Sequence, residues 1–536
     1  MISKFAHRLR AQPRLKFTQT LRWTLPLGAV LILASCSNAP RQSAQIAAPA
    51  APLSRVLEAA HVDPEKFLNR ITWGANPSSS QQLQIMGMDR YLDQQLRGQS
   101  TPLPAAIQAQ IDGMTIAQRP LDKLMIDMEA RRLSAEQQKG VDDTLRKEYQ
   151  QELTRLAREA ASRSLLRAVY SPNQLQEQMT WFWMNHFNIH NGKHNVRAML
   201  GDFEEQAIRP NALGNFRELL RATVFHPAML RYLDNEHNAV NHINENYARE
   251  LMELHTMGVG SGYTQGDVQE LARVLTGVGV NQSLDSPRVK GELQRLYVRR
   301  GIFEFNPNRH DFGDKKILGK TVHGRGLAEV EDIITILSRQ PATAQFISRE
   351  LATYFVSDTP SDALINQMAQ RFLQTDGNIP AVLRSMFESS EFIASLGNKF
   401  KDPVHYVISS VRLAYDGNTI VNAGPMLNWL TMLGQQPNGR QTPDGYSMSE
   451  SAWASPGQMT VRFDVAKAIG NGSPGLFKID NQALQERPPQ PALASSAYVK
   501  NWARNFSQGT QQALSQASSA QEWNAFFLAA PEMMRR

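Results

Sequence analysis

Val141-Asp-Asp-Thr-Leu-Arg-Lys-Glu-Tyr-Gln-Gln-Glu-Leu-Thr-Arg-Leu-Ala-Arg-Glu-Ala160 decides the fold class. Its apolar residues Val141, Leu145, Tyr149, Leu153, Leu156 and Ala160 recur at steps of three and four among charged and amide residues. That is the period of a long helix with one face on a core and the other in water. Immediately after it, Ser171-Pro172-Asn173-Gln174 reads as a capping box with proline at the first helical position, opening a helix to about Phe187. Leu175, Met179, Phe182, Trp183 and His186 share one face of that helix.

Further out the same signals repeat. Asp63-Pro64 starts a helix, Asn244 caps one from Glu245 to Met257 that stops at Gly258, and Thr264 with Asp267 opens the next. Helical periodicity returns from Leu327 to about Tyr415, and residues 434 to 457 form a Gly/Pro/Ser-rich loop. One stretch departs from it: Leu296 to Phe305, a polar Asn-Pro-Asn-Arg-His-Asp-Phe-Gly-Asp loop, then Lys316 to Val322, which together predict a small hairpin. The expected architecture is mainly α, one large multi-helix domain over residues 55–530 with a small inserted β-hairpin at about 296–322.

The N-terminus carries an address. Lys4, Arg8, Arg10, Arg14, Lys16 and Arg22 precede an apolar run from Trp23 to Ala34, with no acidic residue before Cys36. The run is too short to span a bilayer comfortably and has the layout of a signal peptide over residues 1–35. It ends in Leu33-Ala34-Ser35-Cys36, which resembles the lipobox of bacterial lipoproteins, and Cys36 is the one cysteine of the chain. Lipidation of Cys36 supplies several acyl chains, enough for stable anchoring. Ser37 at the next position, by resemblance to Gram-negative lipoproteins, points to the outer membrane on its periplasmic side. Residues 36–54 then read as the lipidated cysteine and an Ala/Pro-rich tether.

Processing changes the charge. The net +7 falls to about +1 once the six basic residues of the leader are gone, so nothing in the mature chain suggests a phosphate-tracking surface and no nucleic-acid partner is expected. With Cys36 consumed there is no intramolecular disulfide, and stability must come from burying the 42% of apolar residues.

Several blocks then resemble one family. Phe67-Leu-Asn-Arg-Ile-Thr-Trp-Gly-Ala-Asn-Pro77, Met179-Thr-Trp-Phe-Trp-Met-Asn-His-Phe187, Ala212-Leu-Gly-Asn-Phe-Arg-Glu-Leu-Leu220, Asn244-Glu-Asn-Tyr-Ala-Arg-Glu-Leu-Met-Glu-Leu254, Gly262-Tyr-Thr-Gln-Gly-Asp-Val268 and Asn308-Arg-His-Asp-Phe-Gly313 look like the successive signatures of the bacterial domain-of-unknown-function 1800 family. The resemblance implies a mostly helical exported protein, often encoded beside an exported partner of the domain-of-unknown-function 1501 type. It implies no established reaction.

Three clusters inside these blocks could carry chemistry. His186, after Asn185, could ligate a metal or exchange a proton, although its apolar neighbours equally suit a packed histidine. His190 and His194 continue its spacing by fours, a three-histidine arrangement only if the helix runs through Asn191-Gly192. On the helix from Glu245, steps of four place Glu245, Arg249 and Glu253 on one stripe, a structural ion-pair ladder, and Asn246 with Glu250 on another. Glu250, flanked by Tyr247, Leu251 and Leu254, is the carboxylate best suited to acid catalysis, whereas His255 on the apolar side reads as packed. On the hairpin loop His310 and Asp311, with Asp314 less strongly, suit a divalent metal or simply a turn.

No Gly-x-Ser-x-Gly elbow, phosphate-binding loop, His-Glu-x-x-His helix or cysteine nucleophile is present in the sequence. Two functions stay open: an envelope scaffold or adaptor for a co-encoded exported partner, in surface-polymer assembly or export, or an envelope glycan or polymer hydrolase or lyase using Glu250 with His186 or His310, with or without a divalent metal. They differ in whether those three residues converge.

Overall fold

Asp63 does what its position predicts: its Oδ1 accepts from the amides of Glu65 and Lys66 at 2.9 and 3.1 Å and starts helix α1, Pro64–Ile71. The computed structural model describes residues 56–98, 101–139, 143–479 and 487–536. The leader, Cys36, the tether and Val141 lie outside the described residues. The described residues belong to one unit, Leu53–Arg536, mainly α with two small antiparallel sheets. No described helix is long and apolar enough to cross a membrane.

The long amphipathic helix is α2, Thr144–Tyr170, with Tyr149, Leu153, Leu156 and Ala160 buried as their spacing requires. Helix α3, Gln174–His186, follows directly. Its expected capping box does not form: Asn173 is the N-cap and makes no side-chain cap bond, and the Ser171 hydroxyl accepts from the Asn173 amide instead. Gln174 turns inward, accepting from the Trp73 amide at 3.0 Å and donating to the Ala168 and Ser171 carbonyls, so it ties three segments together. Helix α4, Asn246–Glu253, starts one residue later than expected and ends four residues short of Met257, with the Asn244 side-chain Oδ1 accepting from the Asn246 amide. Helix α5, Gln265–Val274, has the full Thr264/Asp267 capping box.

The β portion differs from the expected single hairpin. Strand β1 (Val278–Val280) and strand β2 (Val298–Arg300) flank β3 (Phe303–Phe305) in one antiparallel sheet, whereas β4 (Lys315–Ile317) and β5 (Lys320–Val322) form a second. Each expected arm folds back on itself. Gly301 (φ +59°) turns the first, and Leu318 and Gly319, both at positive φ (+50° and +75°), turn the second. The polar loop therefore links two sheets and is not a hairpin tip.

Two buried apolar clusters organise the body. One gathers side chains between Leu57 and Leu396, the other joins Trp73, the C-terminal part of α2 and helices beyond Phe400, and Trp181 on α3 packs against both. The α2–α3 corner therefore sits on the seam.

Candidate functional site

Of the three clusters singled out in the sequence, those of His186 and His310 are buried and bonded to protein groups, and the one around Glu250 is half-buried. His186 is buried among Trp183, Phe187, Phe346 and His255, with ring centroids 4.6–6.3 Å away. Its Nε2 lies 3.2 Å from the His255 carbonyl and must donate, since a carbonyl can only accept. Burial pushes the His186 imidazole down to about 4 and that of His255 to about 3. Both are packed neutral rings. The helix ends at His186 and His194 sits at φ +46°, so the three-histidine alignment is lost.

Asn185 is a clamp. Its Nδ2 donates to the Tyr446 carbonyl at 2.9 Å and its Oδ1 accepts from the Tyr446 amide at 2.7 Å, so both ends of the amide are committed to backbone. Asn246 donates to the Leu233 carbonyl at 3.1 Å. The Glu245–Arg249–Glu253 ladder is present, at 3.1 and 3.4 Å. Glu250 is half-buried, its carboxyl pushed up by burial and then by Glu253 and Asp444, against Arg249.

The loop cluster is equally occupied. His310 Nδ1 faces the Thr276 carbonyl at 2.8 Å and its Nε2 faces Glu329 Oε1 at 2.9 Å. Lys315 Nζ reaches Glu329 Oε2 at 2.6 Å, and all three side chains are fully buried. Asp311 takes the Arg273 guanidinium on both oxygens at 2.8 and 3.1 Å, and exposed Asp314 pairs with His323. The donors expected to hold a metal are thus spent on protein groups, and no set of three or more His, Cys, Asp or Glu among the described residues is placed to bind one. His186, Glu250 and His310 have no bonding partner in common.

What the structure offers instead is a narrow cleft on the seam between the two cores, with about 50 Å³ of space between its walls. Helix α3 contributes the face opposite to the one read from the sequence: Glu177, Thr180, Trp181, Met184 and Asn185, at steps of three and four, with Asn188 just beyond. Trp73, Ser164, Val404 and Ile408 form the other wall. Residues 437–446 roof it as a strap, with Pro437, Asn438 and Tyr446 lining the space. The strap is fastened by amide side chains: Asn185 as above, Asn188 to the Arg440 and Thr442 carbonyls at 3.0 and 2.8 Å, and Asn191 to Pro437 at 3.5 Å. Gly445 (φ +70°) passes so close that a Cβ there would lie 2.3 Å from the Asn185 carbonyl oxygen.

Two carboxylates sit in the wall. Glu177, with a side chain 4% exposed, is held by Arg209 through Nε and Nη2 at 3.2 and 2.7 Å. Glu204, 7% exposed, bonds the Ser164 hydroxyl, and burial raises its carboxyl while Arg163 and Arg167 pull it down. It stands on a π-helical turn, Phe203–Ile208, a local irregularity that recurs at functional sites. The sequence reading missed Trp73, Glu177, Trp181 and Glu204. The periodic polar and aromatic face of α3 was the available signal.

No curated protein and no solved structure matches this chain. A family model does, over residues 66–535, nearly the whole helical body. The chain belongs to the family described as a protein of unknown function (DUF1800).

Proposed function

We propose that this protein is an envelope scaffold: a lipid-anchored helical body that holds an extended segment of a surface polymer, or of an exported partner of the domain-of-unknown-function 1501 type, under the 437–446 strap. The observation that supports the reading is the narrow cleft under the strap, apolar over most of its lining with a few converging polar groups. The occupied state of His186, His310 and Asp311 argues against the metal-assisted hydrolase that would have used them. The lipobox at Cys36 and the tether behind it support placement at the outer membrane.

The strap gives the test. Gly445→Ala drives a methyl into the Asn185 carbonyl at a positive φ, so the strap must lift, at a cost of about 1–3 kcal/mol. Solubilised envelope passed over the immobilised protein is expected to leave polymer or partner on the wild type and at least tenfold less on the Gly445→Ala variant. Equal retention by both sinks the proposal. The address has its own test: Cys36→Ser is expected to abolish acyl labelling and release the protein from the membrane fraction with an unchanged melting temperature. Continued labelling rejects the anchor.

A further inference from the structure

At the foot of the strap a second groove, open to solvent and about 340 Å³ in volume, runs between helix α2, the 191–200 segment and the helix Gly424–Met432. That is the size of an ordinary ligand pocket. Helix α2 turns Thr154 and Arg158 to it, one turn apart, and Arg197 reaches in from the facing segment. Among the described residues no carboxylate lines it.

Both arginines depart from the habit of their neighbours. Helix α2 has five arginines. Arg146 pairs with Asp143, Arg155 with Glu152 and Glu159, and Arg163 and Arg167 with Glu205. Arg158 has no acidic residue three or four positions away, and its exposed guanidinium bonds nothing among the described residues. Arg197 gives Nη1 to the Thr154 hydroxyl at 3.1 Å and Nη2 to the Gln150 side chain, both neutral acceptors. Burial pulls its guanidinium below the usual arginine range, and the group opposing that is the Tyr149 phenol, not a carboxylate. One unpaired surface arginine is ordinary. Two that face one groove repel each other, and an anion held between them removes that cost.

The number of donors says which anion. A guanidinium offers paired N–H groups that fit carboxylate or phosphate oxygens two at a time. A single carboxylate has two oxygens and one charge, and one arginine satisfies it. A phosphate monoester carries nearly two charges on three oxygens, enough for both arginines and for the exposed Asn428 amide, which has no protein partner among the described residues. Ala157, Leu200 and Leu427 give the same groove an apolar side on which the organic part of an ester can lie. We infer that this groove, separate from the cleft of the scaffold reading, binds a phosphate monoester whose oxygens are shared between Arg158 and Arg197. Such a group comes either on a soluble sugar phosphate or on a lipid headgroup.

Titration calorimetry of the full protein in detergent, with a hexose phosphate, a short-chain phosphatidic acid and a hexuronate as probes, tests it. At least one of the two phosphate esters is expected to bind at least tenfold more tightly than the hexuronate. Arg158→Gln should weaken that binding at least tenfold with an unchanged melting temperature, because the side chain holds nothing in the fold. Lys147→Gln removes a charge about three turns away on the same helix and should change it less than twofold. Tighter binding of the phosphatidic acid names a lipid headgroup as the source, tighter binding of the hexose phosphate a soluble ester, and either supports the inference. It is overturned if neither ester binds, if the hexuronate binds as tightly as both, if Arg158→Gln binds like the wild type, or if Lys147→Gln loses as much as Arg158→Gln, which would reduce the effect to general surface charge.

Discussion

Glu329→Ala is expected to destabilise the protein by about 3–5 kcal/mol, the cost of removing one partner from a buried ion pair. Glu329 has no exposed side-chain surface and accepts four hydrogen bonds: His310 Nε2 at 2.9 Å, Lys315 Nζ at 2.6 Å, and the amides of Arg325 and Gly326 at 2.6 and 2.8 Å. Burial alone would push its carboxyl up, but the bonds from His310 and Lys315 hold it below the usual range. Truncation leaves a buried ammonium with only the Asp311 carbonyl to accept from it, and an imidazole nitrogen and two amides that lose the carboxylate, each a desolvation cost. Glu329→Gln keeps the shape but turns an NH2 towards Lys315 or His310, and should recover less than half of the loss. Urea unfolding midpoints of the two variants check this; a loss under about 1 kcal/mol for alanine would show that water replaces the carboxylate.

The same cluster shows why the sequence was more legible for fold than for site. Helix α2 is a local pattern, and a period of 3.6 survives whatever else the chain does, so Tyr149 to Ala160 could be placed from spacing alone. The Thr264/Asp267 box needs only residues three apart. The hairpins failed on a subtler local point: Leu318 at positive φ is a turn no propensity favours, and it is held by its amide bonding Asp267 at 2.7 Å. The site failed for a different reason. His310 looked like a metal ligand because Glu329, which occupies it, lies 19 residues further on in a segment that its own loop does not announce. Asn185 looked catalytic because its partner, the Tyr446 backbone, lies 261 residues away. On α3 the eye follows the apolar face, whereas the cleft is built from the other one, where Glu177 and Trp181 resemble an ordinary solvated stripe until the second core covers them.

The adaptor reading gains from where the charges lie. The buried carboxylates of the cleft wall each face an arginine, Glu177 with Arg209 at 2.7 Å and Glu204 with Arg167 at 4.0 Å, so the wall is stiff and nearly neutral. A stiff, neutral, aromatic wall suits holding a ligand in one orientation at low ordering cost.

The second large effect is loss of stability in acid. His186 and His405 are held down to about 4 and His255 to about 3, in each case chiefly by burial, with Arg536 adding to it for His405 while Asp402 opposes. In the unfolded chain all three titrate near 6.5. As pH falls from 6.5 towards 4 the unfolded chain therefore binds protons that the folded one refuses, and stability falls with it. One pKa unit is worth about 1.4 kcal/mol, and allowing for water entering the opened core gives about 2 kcal/mol per histidine. Glu350, pushed up to about 7 by burial, and the raised Glu204 and Glu250 act in the opposite sense, since a raised carboxyl favours the folded state at low pH. The net expected loss between pH 7 and pH 4.5 is about 3–5 kcal/mol. His255→Leu separates the two contributions: the His255 Nε2 has no partner to lose, so the variant should match the wild type at pH 7 and exceed it by about 2 kcal/mol at pH 4.5. Parallel unfolding curves for the two proteins across that range would mean that His255 is reached by solvent, and that the aromatic cage around it and His186 is not closed.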